Sequence, residues 1–249
     1  MENDELISRA EDLARRCVKT STVTHTAYLS PAEQYALSNW AARLNDCRMV
    51  LLGGHPDCER KAAFFLPDYM EESELCPGEY FCVINSKSCF GAPTHRDYLG
   101  AATGLGIKRE WLGDIWVNGD NAVIFCLPSV TEHLLDGLTK VGRYTVRTTK
   151  AELADIASPE RHTVKISFSV RSMRLDAVCA GMFGLSRTKA EEAISLGNAS
   201  LNYSQCLKCS ASVKTGDVIS VRGCGKGKLT EEGGLSRKGR IFVTAEIYK

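Results

Sequence analysis

The sequence predicts an α+β protein in three parts. These are a small N-terminal α/β unit over residues 1–75, a central split β-α-β-β-α-β sandwich over 76–165, and a basic two-helix module with strands over 171–249. Three observations carry this reading. Strand and helix signals follow the order β-α-β-β-α-β between Tyr80 and Thr148. Apolar residues at helical spacing, punctuated by Gly184 and Gly197, give a helix-turn-helix and a short strand between Arg174 and Asn202. The charge also changes sign along the chain: from Arg171 onward 13 Lys+Arg stand against 7 Asp+Glu, and the remainder has 18 against 23.

At the N-terminus, Leu6, Ile7, Ala10, Leu13, Ala14, Cys17 and Val18 share one face of a first helix. Ser30-Pro31-Ala32-Glu33 reads as a capping box with Pro at the first helical position, starting a helix through Trp40 and Leu44. Arg48–Leu52 is a strand closed by Gly53-Gly54, and Phe64–Pro67 is a short core segment, helical or extended. In the central part Tyr80–Ile84 is a strand. Thr94, with Asp97 at the third helical position, caps a helix ending near Gly104. Ile115–Val117 and Ala122–Cys126 form a hairpin around Asn118-Gly119-Asp120-Asn121. Ser129 and Glu132 read as another capping box; Leu134, Leu135 and Leu138 face inward, and Gly142 ends that helix before the strand Tyr144–Thr148. Arg161–Val170 alternates as a strand leading to the C-terminal module.

In that module Leu175, Val178, Cys179 and Met182 define one helix, and Ser186 caps a second with Ala190, Ala193 and Ile194 on its inner face. Arg187 and Lys189 fall in its first turn, where the helix dipole disfavours each cation by roughly 0.3–1 kcal/mol. Placing cations at the helix end suited to anions points to a bound anion. On local spacing alone a solvated surface pair fits equally well; the surrounding pattern favours the anion. Strands follow at Ala199–Asn202, at Val218–Val221 after the turn Lys214–Asp217, and at Ile241–Ile247. Arg222, Lys226 and Lys228 sit among glycines in a flexible, basic tail, and Arg237, Lys238 and Arg240 lie in a second basic stretch. They read either as phosphate contacts or as the solvated charges of a hairpin.

Composition narrows the function classes. No apolar run approaches the roughly 18–20 residues of a membrane span. The acidic, amphipathic start MENDELISRAEDLARR is unlike a signal or transit peptide, so a cytoplasmic protein without membrane contact is expected. The 11 cysteines are odd in number and scattered through apolar contexts, as reduced core residues would be. Cys206 and Cys209 form a CxxC without a second pair or a nearby His, which is not a zinc pattern; no metal or cofactor is expected. His95-Arg96-Asp97 lacks the rest of a kinase signature, and Gly104-Leu105-Gly106 follows a helix instead of a strand. Arg174-Leu175-Asp176 lacks the continuation of a pseudouridine synthase motif. A basic module on an acidic body points to an oriented nucleic-acid contact.

Arg174-Leu175-Asp176, Leu185-Ser186-Arg187, Ala190, Ile194, Gly197, Asn202 and Gly216-Asp217, in that order, resemble the RNA-binding module of ribosomal small-subunit protein four, the S-four domain. The resemblance covers about 55 residues and implies that two helices and a strand present a basic surface to structured RNA. It implies contacts from Arg174, Ser186, Arg187, Lys189 and Asn202; Arg174 reads alternatively as a partner of Asp176 or of backbone carbonyls. Asn198 and Ser200 replace apolar or basic residues common in such domains. Tyr203, in place of a frequent Gly, reads as a stacking residue or as a cover for the sheet edge.

The segment HRDYLGAATGLGIKREWLGDIWV, His95–Val117, with the helix at Ser129–Lys140 and Val141-Gly142-Arg143, resembles the central domain of the YlmH family. These bacterial proteins carry an S-four domain at the C-terminus. The elements span nearly the whole chain, the first 75 residues least specifically. A non-enzymatic monomer is expected; the resemblance implies a factor that binds rRNA and peptidyl-tRNA on the large ribosomal subunit in ribosome-associated quality control. There it would support tailing of stalled nascent chains after subunit splitting. Arg96, Arg109 and Arg143 are its central-domain RNA candidates, with surface pairing to Asp97, Glu110 or Asp114 as the other reading. The competing class is an rRNA-modifying enzyme, of pseudouridine synthase or methyltransferase type, delivered by the S-four domain; no catalytic carboxylate motif or methyl-donor pocket is legible.

Overall fold

A computed structural model describes residues 2–159, 163–236 and 239–248, and shows a mixed α+β protein with seven α-helices and three sheets among them. Arg161 and His162 of the bridging strand, and Arg237 and Lys238, lie outside the described residues. The chain divides into two compact units, Met1–Pro159 and Glu160–Lys249.

The first unit begins with α1 (Glu2–Thr20), β1 (Thr24–His25), α2 (Pro31–Ala41), β2 (Cys47–Leu52) and β3 (Ala62–Pro67). Ser30 caps α2 as the sequence predicts, its hydroxyl accepting from Glu33 N while the Glu33 carboxylate accepts from Ser30 N. The helix stops at Ala41, so Leu44 falls in the following turn. Phe64–Pro67 is extended: β3 pairs with β1 on one side and β2 on the other, and every residue in it is buried. Its alternation explains why. Ala63 and Phe65 pack under α1 and α2, whereas Ala62, Phe64 and Leu66 point the other way.

The turn helix α3 (Pro77–Tyr80) delays the next strand, so β4 runs Cys82–Ser88 and does not start at Tyr80. Then come α4 (His95–Gly104), β5 (Leu112–Asn118), β6 (Asn121–Cys126), α5 (Pro128–Gly137), β7 (Lys140–Val141) and β8 (Tyr144–Ala151). The antiparallel order β5-β6-β4-β8-β7 interleaves the two halves, the split arrangement expected from the sequence. The Thr94–Asp97 capping box is present. The Ser129–Glu132 box is not: Pro128 takes the first helical position, which makes Leu127 the cap residue without a side-chain bond. That helix also ends at Gly137, because Lys140 and Val141 leave to pair with β8 and Gly142 (φ +58°) turns the hairpin.

One face of this sheet packs on α4 and α5 through Ile84, Ile124, Val146, Tyr98, Ala102 and Leu134. On the other face Val83 and Phe125 meet Tyr28, Phe64, Leu66 and Phe81. The N-terminal segment and the central sheet thus share one core cluster.

The second unit contains β9 (Thr163–Val170), α6 (Leu175–Phe183), α7 (Arg187–Ser195), β10 (Ala199–Leu201), β11 (Ser204–Gln205), β12 (Val218–Val221), β13 (Gly225–Leu235) and β14 (Ile241–Tyr248). Its sheet has the order β11-β10-β12-β13-β14-β9. Both helices cover one face through Leu175, Val178, Cys179, Met182, Ala190 and Ile194. Gly184 (φ +64°) ends α6 in the left-handed conformation, and Ser186 Oγ accepts from Lys189 N to cap α7. Gly181 lets α6 approach β9: a Cβ there would lie 2.2 Å from a Phe168 ring carbon. The glycine-rich stretch after Arg222 is not a flexible tail. It enters β13, paired along both sides.

Candidate nucleic-acid interface

In the second unit the charged site is built on Asp176, which lies in the first turn of α6 and is 0% exposed. Its Oδ1 accepts from Ala177 N at 2.7 Å and from Arg174 Nε at 3.2 Å. Its Oδ2 accepts from Arg174 Nη2 and Arg187 Nη2, each at 2.9 Å. Burial opposes ionisation, yet the two arginine bonds and the Ala177 amide hold the carboxyl below its usual range. Both guanidinia are raised in pKa, first by their bond to Asp176. Asp176 holds two half-exposed arginines in place; with Glu191 the two acids balance their charge, so unbalanced positive charge comes from the neighbouring cations. Arg187 also reaches Glu191 Oε1 at 3.3 Å.

Arg187 lines a groove of about 350 Å³ with Arg171 and Arg240, its floor formed by Ala177, Ala180 and Gly181. Arg240 donates through Nη2 to Ser169 O. Arg171 is exposed and has no hydrogen-bond or ion-pair partner among the described residues. Sequence reasoning missed Arg171 as a site residue and read Arg240 only as part of the basic stretch Ser236–Arg240, without placing it beside Arg187. Arg171 and Arg240 flank the elements that carry the motif, and only the pairing of Ile241 with Val170 brings them together. Lys189 is exposed beside this site at the start of α7.

Other residues singled out in the sequence go elsewhere. Asn202 (φ +50°) is 9% exposed; its amide donates to Asp217 Oδ1 at 2.9 Å and its carbonyl accepts from Val218 N at 3.0 Å. It closes a turn inside the unit. Ser186 Oγ is occupied as a helix cap. Lys226 and Lys228 project from β13 on the side opposite Gly227 and Leu229, which face α6 and the core. They therefore lie across the sheet from Arg174, Arg187 and Lys189. Lys226 Nζ sits 5.1 Å from the ring centroids of both Tyr203 and Tyr248. Arg222 is exposed in the β12–β13 turn.

In the first unit Arg109 is internal. Its Nη1 donates to the carbonyls of Leu112 and Gly113 at 2.8 and 2.9 Å, and burial with the nearby Arg60 charge lowers its pKa to about 10. Arg60 donates to Leu112 O and Tyr28 O, while Asp114 accepts from Glu59 N and Arg60 N. These bonds tie the N-terminal segment to the central sheet. Arg96 is exposed and its side chain makes no hydrogen bond or salt bridge among the described residues, but its charge, with that of Arg143, acts on the Asp97 carboxylate, which accepts from Thr94. Arg143 lies over the Tyr144 ring at 5.2 Å and donates to its hydroxyl. Among the described residues no cluster of His, Cys, Asp and Glu could hold a metal ion, and no helix is long and apolar enough to cross a membrane.

Comparison with known proteins places this architecture. Residues 2–70 match the family described as "YlmH, N-terminal", and residues 80–155 match "Putative RNA-binding domain in YlmH". The ribosome-associated protein quality control protein P2 of Bacillus subtilis (strain 168) is 32% identical over 226 residues, 90% of this chain and 87% of that one. The chain belongs to the YlmH family. A solved structure, the cell division protein ylmH from Streptococcus pneumoniae, aligns with a TM-score of 0.51 at 20% identity, covering 62% of this chain and 94% of that one. At that identity the likeness concerns the fold. Both matched YlmH segments lie in the first unit, where Arg109 is internal and Arg96 and Arg143 are exposed.

Proposed function

We propose that this YlmH-family protein is a non-enzymatic RNA-binding factor that acts on the large ribosomal subunit in ribosome-associated quality control, contacting rRNA and peptidyl-tRNA. Its second unit serves as an S-four-type RNA-binding domain. One observation carries the reading: Arg171, Arg187 and Arg240 converge on one groove, and Arg187 is oriented there by a fully buried carboxylate. Fixed guanidinia suit phosphate oxygens because their fork of donors matches the oxyanion, and pre-orientation reduces the entropy lost on binding. The RNA-binding description of the matched central domain and the name of the Bacillus relative support the same reading. Shape and backbone contacts, not base edges, would dominate recognition of a folded RNA.

The test is binding of structured ribosomal RNA across a salt series, with Arg171→Ala/Arg240→Ala beside the unaltered protein. Neither arginine partners the buried Asp176, so the variant should keep its fold. Loss of two phosphate contacts predicts weaker binding and a salt slope shallower by about 2. Unchanged affinity and slope would remove the groove from the mechanism.

A further inference from the structure

We infer that the central sheet makes a second RNA contact, on the part of its face opposite α4 and α5 that the N-terminal segment leaves uncovered. There Lys87 and Arg147 together hold backbone phosphates of a folded RNA. This inference rests on the RNA-binding reading and adds which surface of the central domain takes the RNA, and by which chemical group.

That face changes character along its strands. At one end Val83, Phe125 and Ala151 lie side by side across β4, β6 and β8 and pack with the N-terminal segment. Two residues further, Val123, Asn85 and Thr149 form the next row, and Trp116 of β5 borders it, half-buried against His55 and Phe125. Two residues further again, Asn118, Asn121, Lys87 and Arg147 stand across β5, β6, β4 and β8, and all four are exposed. The intervening residues turn to the other side. Ser86 and Ser88 are buried, Val146 joins the cluster under α4 and α5, and Thr148 Oγ1 donates to Leu135 O of α5 at 3.0 Å. Strand alternation therefore puts both cations and their polar neighbours on one open surface.

Lys87 and Arg147 are directly opposed in the antiparallel register, with Cα atoms about 4.5–5.5 Å apart in such a pair. Like charges in that position destabilise a strand pair. Little offsets them. β4, β6 and β8 contain no acidic residue, and Asp114 of β5 accepts from Glu59 N and Arg60 N at the covered end. Asp120, in the β5–β6 turn, lies 4.0 Å from Lys87, whose side chain is 69% exposed, and also accepts from Asn121. Arg147 has no hydrogen-bond or ion-pair partner among the described residues. A phosphate between the two cations removes the repulsion and takes charge-assisted bonds from both. Asn85, Asn118, Asn121 and Thr149 supply uncharged donors and acceptors that suit ribose hydroxyls beside it. Among the described residues no exposed aromatic ring shares this part of the face, so the contact goes to the backbone and needs no unpaired base.

The experiment uses the full-length protein and a base-paired RNA hairpin, with affinity measured across a salt series. Lys87→Gln/Arg147→Gln should bind the hairpin more weakly, with a salt slope shallower by about 2 for two lost phosphate contacts. Its urea midpoint should be equal or higher, because an opposed like-charge pair is gone. The exchange Lys87→Arg/Arg147→Lys keeps both charges and should bind as the unaltered protein does. Unchanged affinity and slope in the Gln variant, or equal loss in the exchange, overturns the site. The Arg171→Ala/Arg240→Ala variant separates the two claims. If it weakens hairpin binding while the Gln variant changes nothing, only the sheet site fails; if neither variant alters RNA affinity, the RNA-binding reading fails as well.

Discussion

Asp176 governs the basic site from inside the protein. It is the fully buried partner of Arg174 and Arg187, so removing its charge leaves two guanidinia facing each other without their shared counterion. Asp176→Asn should destabilise the second unit by about 3 kcal/mol, the low end for a broken buried pair because both arginines retain water contact. A lower urea midpoint at unchanged slope would show it. The pH dependence follows from the depressed carboxyl. Its stabilisation is complete above the ordinary value of 3.8 and is lost as pH falls through the lower folded value, so the unaltered protein should lose this component only in acid and the Asn variant should lack it throughout. The same pairing makes Arg187→Ala ambiguous as a binding test, since it also strips a bond from Asp176. Lys189, exposed and bonded only through its backbone amide, is the cleaner neighbour to change. The S-four resemblance singled out Arg174, Arg187 and Lys189, with Asp176 as the alternative partner of Arg174; the Arg187–Asp176 bond between two helices was not legible from local spacing. Nor could the sequence show that Arg109 is internal, because that depends on carbonyls of Leu112 and Gly113 packed against a distant segment.

Helix caps were legible where short-range chemistry decides them. The Ser30 and Thr94 boxes form as read, and so does the Ser186 cap. The Ser129 box fails because Pro128 already satisfies the geometry of a first helical position, moving the start upstream. Ser186→Ala should cost about 1 kcal/mol of stability, measured by denaturant unfolding. Because that hydroxyl caps α7, RNA affinity per folded molecule should stay unchanged; a specific loss of affinity would return Ser186 to the contact surface. The split between Lys226/Lys228 and the helix-end arginines follows from strand alternation around Gly227 and Leu229. The sequence contained that alternation, but the glycines made the segment read as a tail.

At the scale of the molecule, the order of elements and the charge asymmetry were readable, whereas the shared core of the N-terminal segment and the central sheet was not. Phe64, Phe81 and Phe125 are far apart in sequence, and only the opposite faces of β3 and β6 bring them into one cluster. That cluster covers part of the sheet face that many RNA-binding domains leave open. The central claim is that a fixed arginine groove takes this YlmH-family protein to ribosomal RNA. Its most direct measurement is co-sedimentation of the full-length protein with separated small and large ribosomal subunits over a salt series, beside Arg171→Ala/Arg240→Ala. The account predicts binding to the large subunit that weakens steeply with salt and is lost in the variant at lower salt than in the unaltered protein. Equal binding by both proteins, or no binding to either subunit at low salt, would contradict it.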